Sequence, residues 1–127
     1  RQIRGRKQYL PAKGSTYDLK EIFEELNAKF FHGLLAQPEL GWSERPSRSI
    51  LGHFDPAHNA IIISRVLDSP EVPRLAVEYV LFHEMLHLRY PVEHTGARRR
   101  VHHIEFRQAE QAFPGLAEAR RILKSLR

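Results

Sequence analysis

Cysteine is absent from this 127-residue chain, and tryptophan and methionine occur once each. The missing thiols exclude cysteine nucleophiles, zinc ribbons and disulfide frameworks. Long apolar runs are also missing: nothing approaches the roughly 20 residues of a membrane span. The opening Arg1-Gln2-Ile3-Arg4 is no signal-peptide core, so a cytoplasmic chain is expected. What is present is ordinary for a globular protein, with 42% hydrophobic and 28% charged residues. At this length a domain buries roughly two thirds of its unfolded surface and needs no metal merely to fold.

The net charge of +5 is localised. Residues 1–14 hold Arg1, Arg4, Arg6, Lys7 and Lys13 and no acid, whereas the remaining acids and bases balance. The organisation expected is a basic lead-in, 1–14, followed by a single domain, 15–127. A second basic concentration is Arg98-Arg99-Arg100. Arg4, Arg6, Lys7 and this triplet are the candidates for contacting nucleic-acid phosphates.

Leu19, Ile22, Phe23, Leu26 and Phe30 recur at helical spacing, with Asp18 able to cap the start, which predicts a helix over 18–31 closed by Gly33. Short stretches at 39–43, 50–54 and 60–64, separated by turn formers, predict three strands, the second and third a hairpin. From Pro73 to about Tyr90 the chain is apolar nearly all round, as a buried central helix should be. A loop over 91–100 and helices over 101–113 and 116–126 complete an α+β domain, with a small, mainly antiparallel sheet preceding the main helices.

The buried helix carries His83-Glu84-Met85-Leu86-His87. Histidines at i and i+4 share a helix face and can converge on one cation. Glu84 lies about 100° round from His83, placed to act as a general base on water that a zinc ion activates. Three ionisable groups in the middle of an apolar helix need partners if buried.

A catalytic zinc takes a third protein ligand. Glu93 stands where a metzincin has its third histidine, and His94 misses that slot by one. His102, His103, Glu105 and Glu110 remain. Periodicity puts His102 with Phe106, Ala109 and Phe113 on a core-facing side, and His103 with Arg107 and Glu110 on the wet side, which favours His102 as ligand. Glu105 is a candidate to orient its imidazole. Tyr90, His94 and His103 are candidates for stabilising an oxyanion.

The ordered segments Leu26-Asn27-Ala28-Lys29-Phe30-Phe31-His32-Gly33, Trp42-Ser43, Leu51-Gly52-His53-Phe54, Val80 to His87, and His102-His103-Ile104-Glu105-Phe106 resemble the SprT-like zinc metallopeptidase domain. That family includes the Spartan and Wss-type proteases of DNA–protein crosslink repair. The resemblance spans about Tyr17 to Phe113. It implies a zincin-like fold and one zinc per chain on His83, His87 and His102, with Glu84 catalytic. His102 occupies the histidine of the family's His-Gly-x-x-Phe motif, and His103 stands in place of its glycine. The function implied is a zinc-dependent endopeptidase acting on protein or peptide substrates, with recruitment to DNA-bound proteins as an extension. A different class of reading is a basic nucleic-acid-binding module in which zinc is structural or vestigial.

Overall fold

The computed structural model describes residues 8–91, 93–95, 98–100 and 103–126, and of 93–95, 98–100 and 103 the backbone alone. Its strands are β1 (Tyr9–Pro11), β2 (Glu39–Ser43), β3 (Gly52–Asp55), β4 (Ala60–Ile63), β5 (Glu93–Thr95) and β6 (Arg98–Arg100). Its α-helices are α1 (Leu19–Phe30), α2 (Arg74–Arg89), α3 (His103–Gln111) and α4 (Leu116–Ser125).

Helix α1 begins where Asp18 accepts the N–H of Lys20 at 3.0 Å, satisfying one of the donors a helix start leaves unpaired. Leu19, Ile22, Phe23 and Leu26 give it one buried face. It ends with the N–H groups of Phe31 and Gly33 both donating to the Asn27 carbonyl at 2.9 Å. Gly33 there adopts a φ of 71°, a left-handed conformation that glycine takes without a Cβ clash.

The sheet differs from the three-stranded, mainly antiparallel one expected. It has four strands in the order β1-β2-β4-β3 and is mixed. β3 and β4 form the expected antiparallel hairpin, with Gly52 opposite Ile63 and Asp55 opposite Ala60. β4 then slots in beside β2 and runs parallel to it, Leu40 opposite Ile61. The parallel pair arises because the chain leaves β2, crosses to the far edge and returns through the hairpin, so β4 enters the gap in the direction of β2. The fourth strand, β1, pairs antiparallel with β2, Tyr9 facing Ser43.

Two further contacts fasten the N-terminal arm. The indole N–H of Trp42 donates to the Ala12 carbonyl at 2.9 Å. The Asp68 carboxylate accepts the backbone N–H groups of Ser15, Thr16 and Tyr17 at 2.8–2.9 Å.

Helix α2 supplies the centre of the core. Ala76, Val77, Leu81, Phe82, Met85 and Leu86 are buried together with Trp42, Ile61, Ile63 and Phe23. The Val, Leu, Ile, Phe and Met side chains among them each contribute about 1.5–3 kcal/mol when fully buried. The segment expected to be a loop over 91–100 instead contains β5 and β6, paired antiparallel with His94 opposite Arg99. Backbone pairing needs no apolar side chains, so a strand pair of this polarity is invisible to hydropathy patterning. Among the described residues, no helix is long and apolar enough to cross a membrane.

Candidate metal centre

Helix α2 places His83, Glu84 and His87 as its spacing requires. The Nε2 atoms of His83 and His87 lie 3.3 Å apart. Two zinc–nitrogen bonds of about 2.0–2.1 Å at a tetrahedral angle separate their nitrogens by about 3.3–3.4 Å. The two rings are therefore spaced as a shared cation needs, nearly perpendicular at 82°. Phe106 of α3 packs against both, with ring centroids 5.5 Å from His83 and 4.8 Å from His87.

His83 is fastened from its other side. Its Nδ1 lies 2.8 Å from Oε2 of Glu110 on α3, and that same oxygen accepts the Tyr79 hydroxyl at 2.8 Å. Burial works against the charge on Glu110, but hydrogen bonds from Tyr79 and His83 and the positive charges of His83 and Arg120 outweigh it, holding its pKa below the usual value. The Tyr79 hydroxyl is shifted upward, by burial first and then by its bond to Glu110, with Arg120 opposing. His87 is shifted downward, by loss of solvent and then by the neighbouring His83 charge, with Glu110 opposing. A neutral His87 keeps a lone pair for a metal.

Glu84 does not join the pair of imidazoles. It is buried, at 8% exposure, and desolvation raises its pKa against the opposing charge of His83. It shares a cleft of about 290 Å³ with His83, walled by Ser49, Leu51, Gly52, Tyr79, Val80 and Leu123. One imidazole and one sequestered carboxylate thus face the same space.

The edge strand β3 borders this cleft. Ser64 donates its N–H to the Leu51 carbonyl at 2.8 Å, directly across the register. In an antiparallel ladder the hydrogen-bonded pairs alternate, so His53 and Asp55 also bond toward β4. Gly52 and Phe54 consequently turn their backbone N–H and C=O away from the sheet.

Of the remaining sequence candidates, Tyr90 lines a separate cavity of about 350 Å³ with Phe30, Phe82, Leu86 and Arg89. It contacts Phe106 edge-on and carries the Arg89 guanidinium over its ring. Glu105 is exposed. His94 and Arg98–Arg100 fall in β5 and β6 and His103 opens α3, with backbone alone described. His102, Arg4, Arg6 and Lys7 lie outside the described residues, and so does the third-ligand assignment. Among the described residues no group of three metal-binding side chains is assembled.

Glu110 corrects the helical reading, which set it on the wet side with Arg107. Its side chain is only 13% exposed, because α3 turns Phe106, Ala109 and Glu110 toward the rest of the fold, with buried Phe113 just beyond the end of the helix. The signal that could have found it is Tyr79 one turn before His83: two donors stacked on a helix face require one acceptor from elsewhere.

The model of the SprT-like family matches residues 19–120. No curated protein and no solved structure gives a match.

Proposed function

The chain belongs to the SprT-like family, and from that premise we propose that it is a zinc-dependent metalloendopeptidase. The observation that carries the reading is the 3.3 Å spacing of the His83 and His87 Nε2 atoms on a helix whose intervening Glu84 is buried. His83 and His87 would hold the ion through Nε2, with His102 as the third ligand. When bound, zinc supplies a Lewis acid that polarises a peptide carbonyl and acidifies the attacking water.

The protein's own groups do the rest. Glu84, kept from bulk solvent, takes the proton released as water attacks the carbonyl carbon and passes it to the leaving amide nitrogen. Its raised pKa makes it a better proton acceptor than an exposed carboxylate. Gly52 and Phe54 offer outward backbone donors and acceptors with which an extended substrate can pair as an added strand. Leu51, Val80 and Leu123 give the cleft an apolar wall for a substrate side chain.

Metal analysis of protein freed of chelator and reconstituted with zinc tests the reading. About one zinc per chain is expected, lost in His83→Ala and His87→Ala. Less than about a tenth of a zinc per chain would overturn it, because three protein ligands should hold the ion tightly.

A further inference from the structure

For His83 to bind a cation through Nε2, that nitrogen must present a lone pair, and the ring proton must sit on Nδ1. Free imidazole exchanges between the two tautomers, so something must make the choice. The structure contains a group able to make it, brought from α3 across a sequence separation of 27 residues.

We propose that Glu110 is a positioning residue that locks His83 in the Nδ1–H tautomer and aims its Nε2 at the metal position. An ionised carboxylate accepts hydrogen bonds and donates none. With Oε2 at 2.8 Å from Nδ1, it can be bonded only to a ring that carries its proton there. The carboxylate lies on the Nδ1 side of His83, whereas the neighbouring His87 lies on the Nε2 side at 3.3 Å. Glu110 therefore supports a ligand from behind and does not compete for the metal.

The support is itself braced. Tyr79, one turn before His83 on α2, donates to the same Oε2 at 2.8 Å. Arg120 of α4 adds its positive charge to the Tyr79–Glu110 pair. Phe106, one turn before Glu110 on α3, closes the imidazole faces at 5.5 Å and 4.8 Å. Side chains of α2 and α4 thus converge on one carboxylate of α3, and rotation of the His83 ring would break its contact with α3. Carboxylates behind ligating histidines act this way in metal sites generally, and their loss typically weakens metal binding by about 10–100-fold.

The test has two arms. In metal-free protein at alkaline pH, nitrogen-15 spectra of labelled histidine should show His83 as the Nδ1–H tautomer, shifting to Nε2–H in Glu110→Ala. In chelator competition, the zinc dissociation constant should rise by about 10–100-fold in Glu110→Ala. It should rise less in Glu110→Gln, whose amide oxygen still accepts the Nδ1 proton. A merely structural glutamate would lower the melting temperature and leave tautomer and affinity unchanged. Should Glu110→Ala not fold, Glu110→Gln and Tyr79→Phe carry the test, each predicted to weaken zinc binding by a smaller factor.

The inference takes its metal from the function proposed above, and the arms separate the two. A wild-type protein that binds no zinc, yet loses the Nδ1–H tautomer in Glu110→Ala, would overturn the peptidase reading and keep the positioning role. Unchanged affinity and tautomer in a folded Glu110→Ala protein that binds zinc would overturn the role of Glu110.

Discussion

Gly52 leaves no room for a side chain beside Glu84: a Cβ placed on it would stand 3.3 Å from Oε2 of Glu84 and 2.9 Å from Cγ1 of Val80. The bare Cα is what lets the edge strand β3 lie directly against the carboxylate of α2. Gly52→Ala should force strand and helix apart, destabilising the fold by about 1–3 kcal/mol as overpacking does. Because Glu84 moves with its neighbours, turnover should fall by about tenfold or more while zinc content stays at wild type. Calorimetry and peptide hydrolysis with zinc analysis check both effects, and full activity at full stability would show that the contact is slack.

Glu84→Gln removes a proton acceptor and preserves shape. Hydrolysis should drop by about 10²- to 10⁴-fold with zinc stoichiometry unchanged. Turnover near the wild-type rate would remove Glu84 from the chemistry.

Substrate pairing along β3 is open to a proline test. The N–H of Phe54 faces away from β4, so proline at 54 removes a donor without breaking the ladder. Relative to Phe54→Ala, which loses the side chain alone, Phe54→Pro should raise KM by about three- to tenfold, the equivalent of one backbone hydrogen bond. His53→Pro, by contrast, deletes a bond to β4 and should lower the melting temperature. Equal KM values for the alanine and proline variants would show that substrate does not pair at this position.

Asp68 governs the N-terminal arm and does so as a charge. Burial opposes its ionised form, but the N–H groups of Tyr17, Thr16 and Ser15 outweigh that cost and hold its pKa below the usual value. A carboxyl depressed in the folded state contributes stability that is whole above its unfolded pKa of about 3.9 and is lost as the pH falls through the folded value. Asp68→Asn should cost about 2 kcal/mol at neutral pH. The difference between the two proteins should shrink as the pH is lowered below about 4. Thermal unfolding at several pH values measures this, and a gap that persists in strong acid would exclude the charge as its origin.

Local patterns made much of the architecture legible. The Asp18 cap and the apolar stripe from Leu19 to Phe30 announce α1, and the apolar run after Pro73 announces α2. Turn formers between Phe54 and Ala60 announce the β3–β4 hairpin. Each depends on residues within a turn or a few residues of one another. Long-range partners were not legible. β1 is a three-residue strand in a basic segment, recognisable only through its pairing with β2, whose partner residues lie 30 to 34 positions away. Glu110 looks like any exposed helix glutamate until Tyr79 and His83 are brought beside it.

The sequence by itself determined that His83 and His87 share a helix face with Glu84 beside them, because a 3.6-residue turn sets those angles wherever the helix lies. It also settled the donor chemistry, since without cysteine any zinc must rest on nitrogen and oxygen ligands. Only the tertiary structure decided which groups stand behind and before those three residues: Glu110 at the back of His83, and the bare backbone of Gly52 against Glu84. Those choices depend on how α3 and an edge strand pack on α2, and packing between distant segments follows from shape and burial that no local spacing encodes.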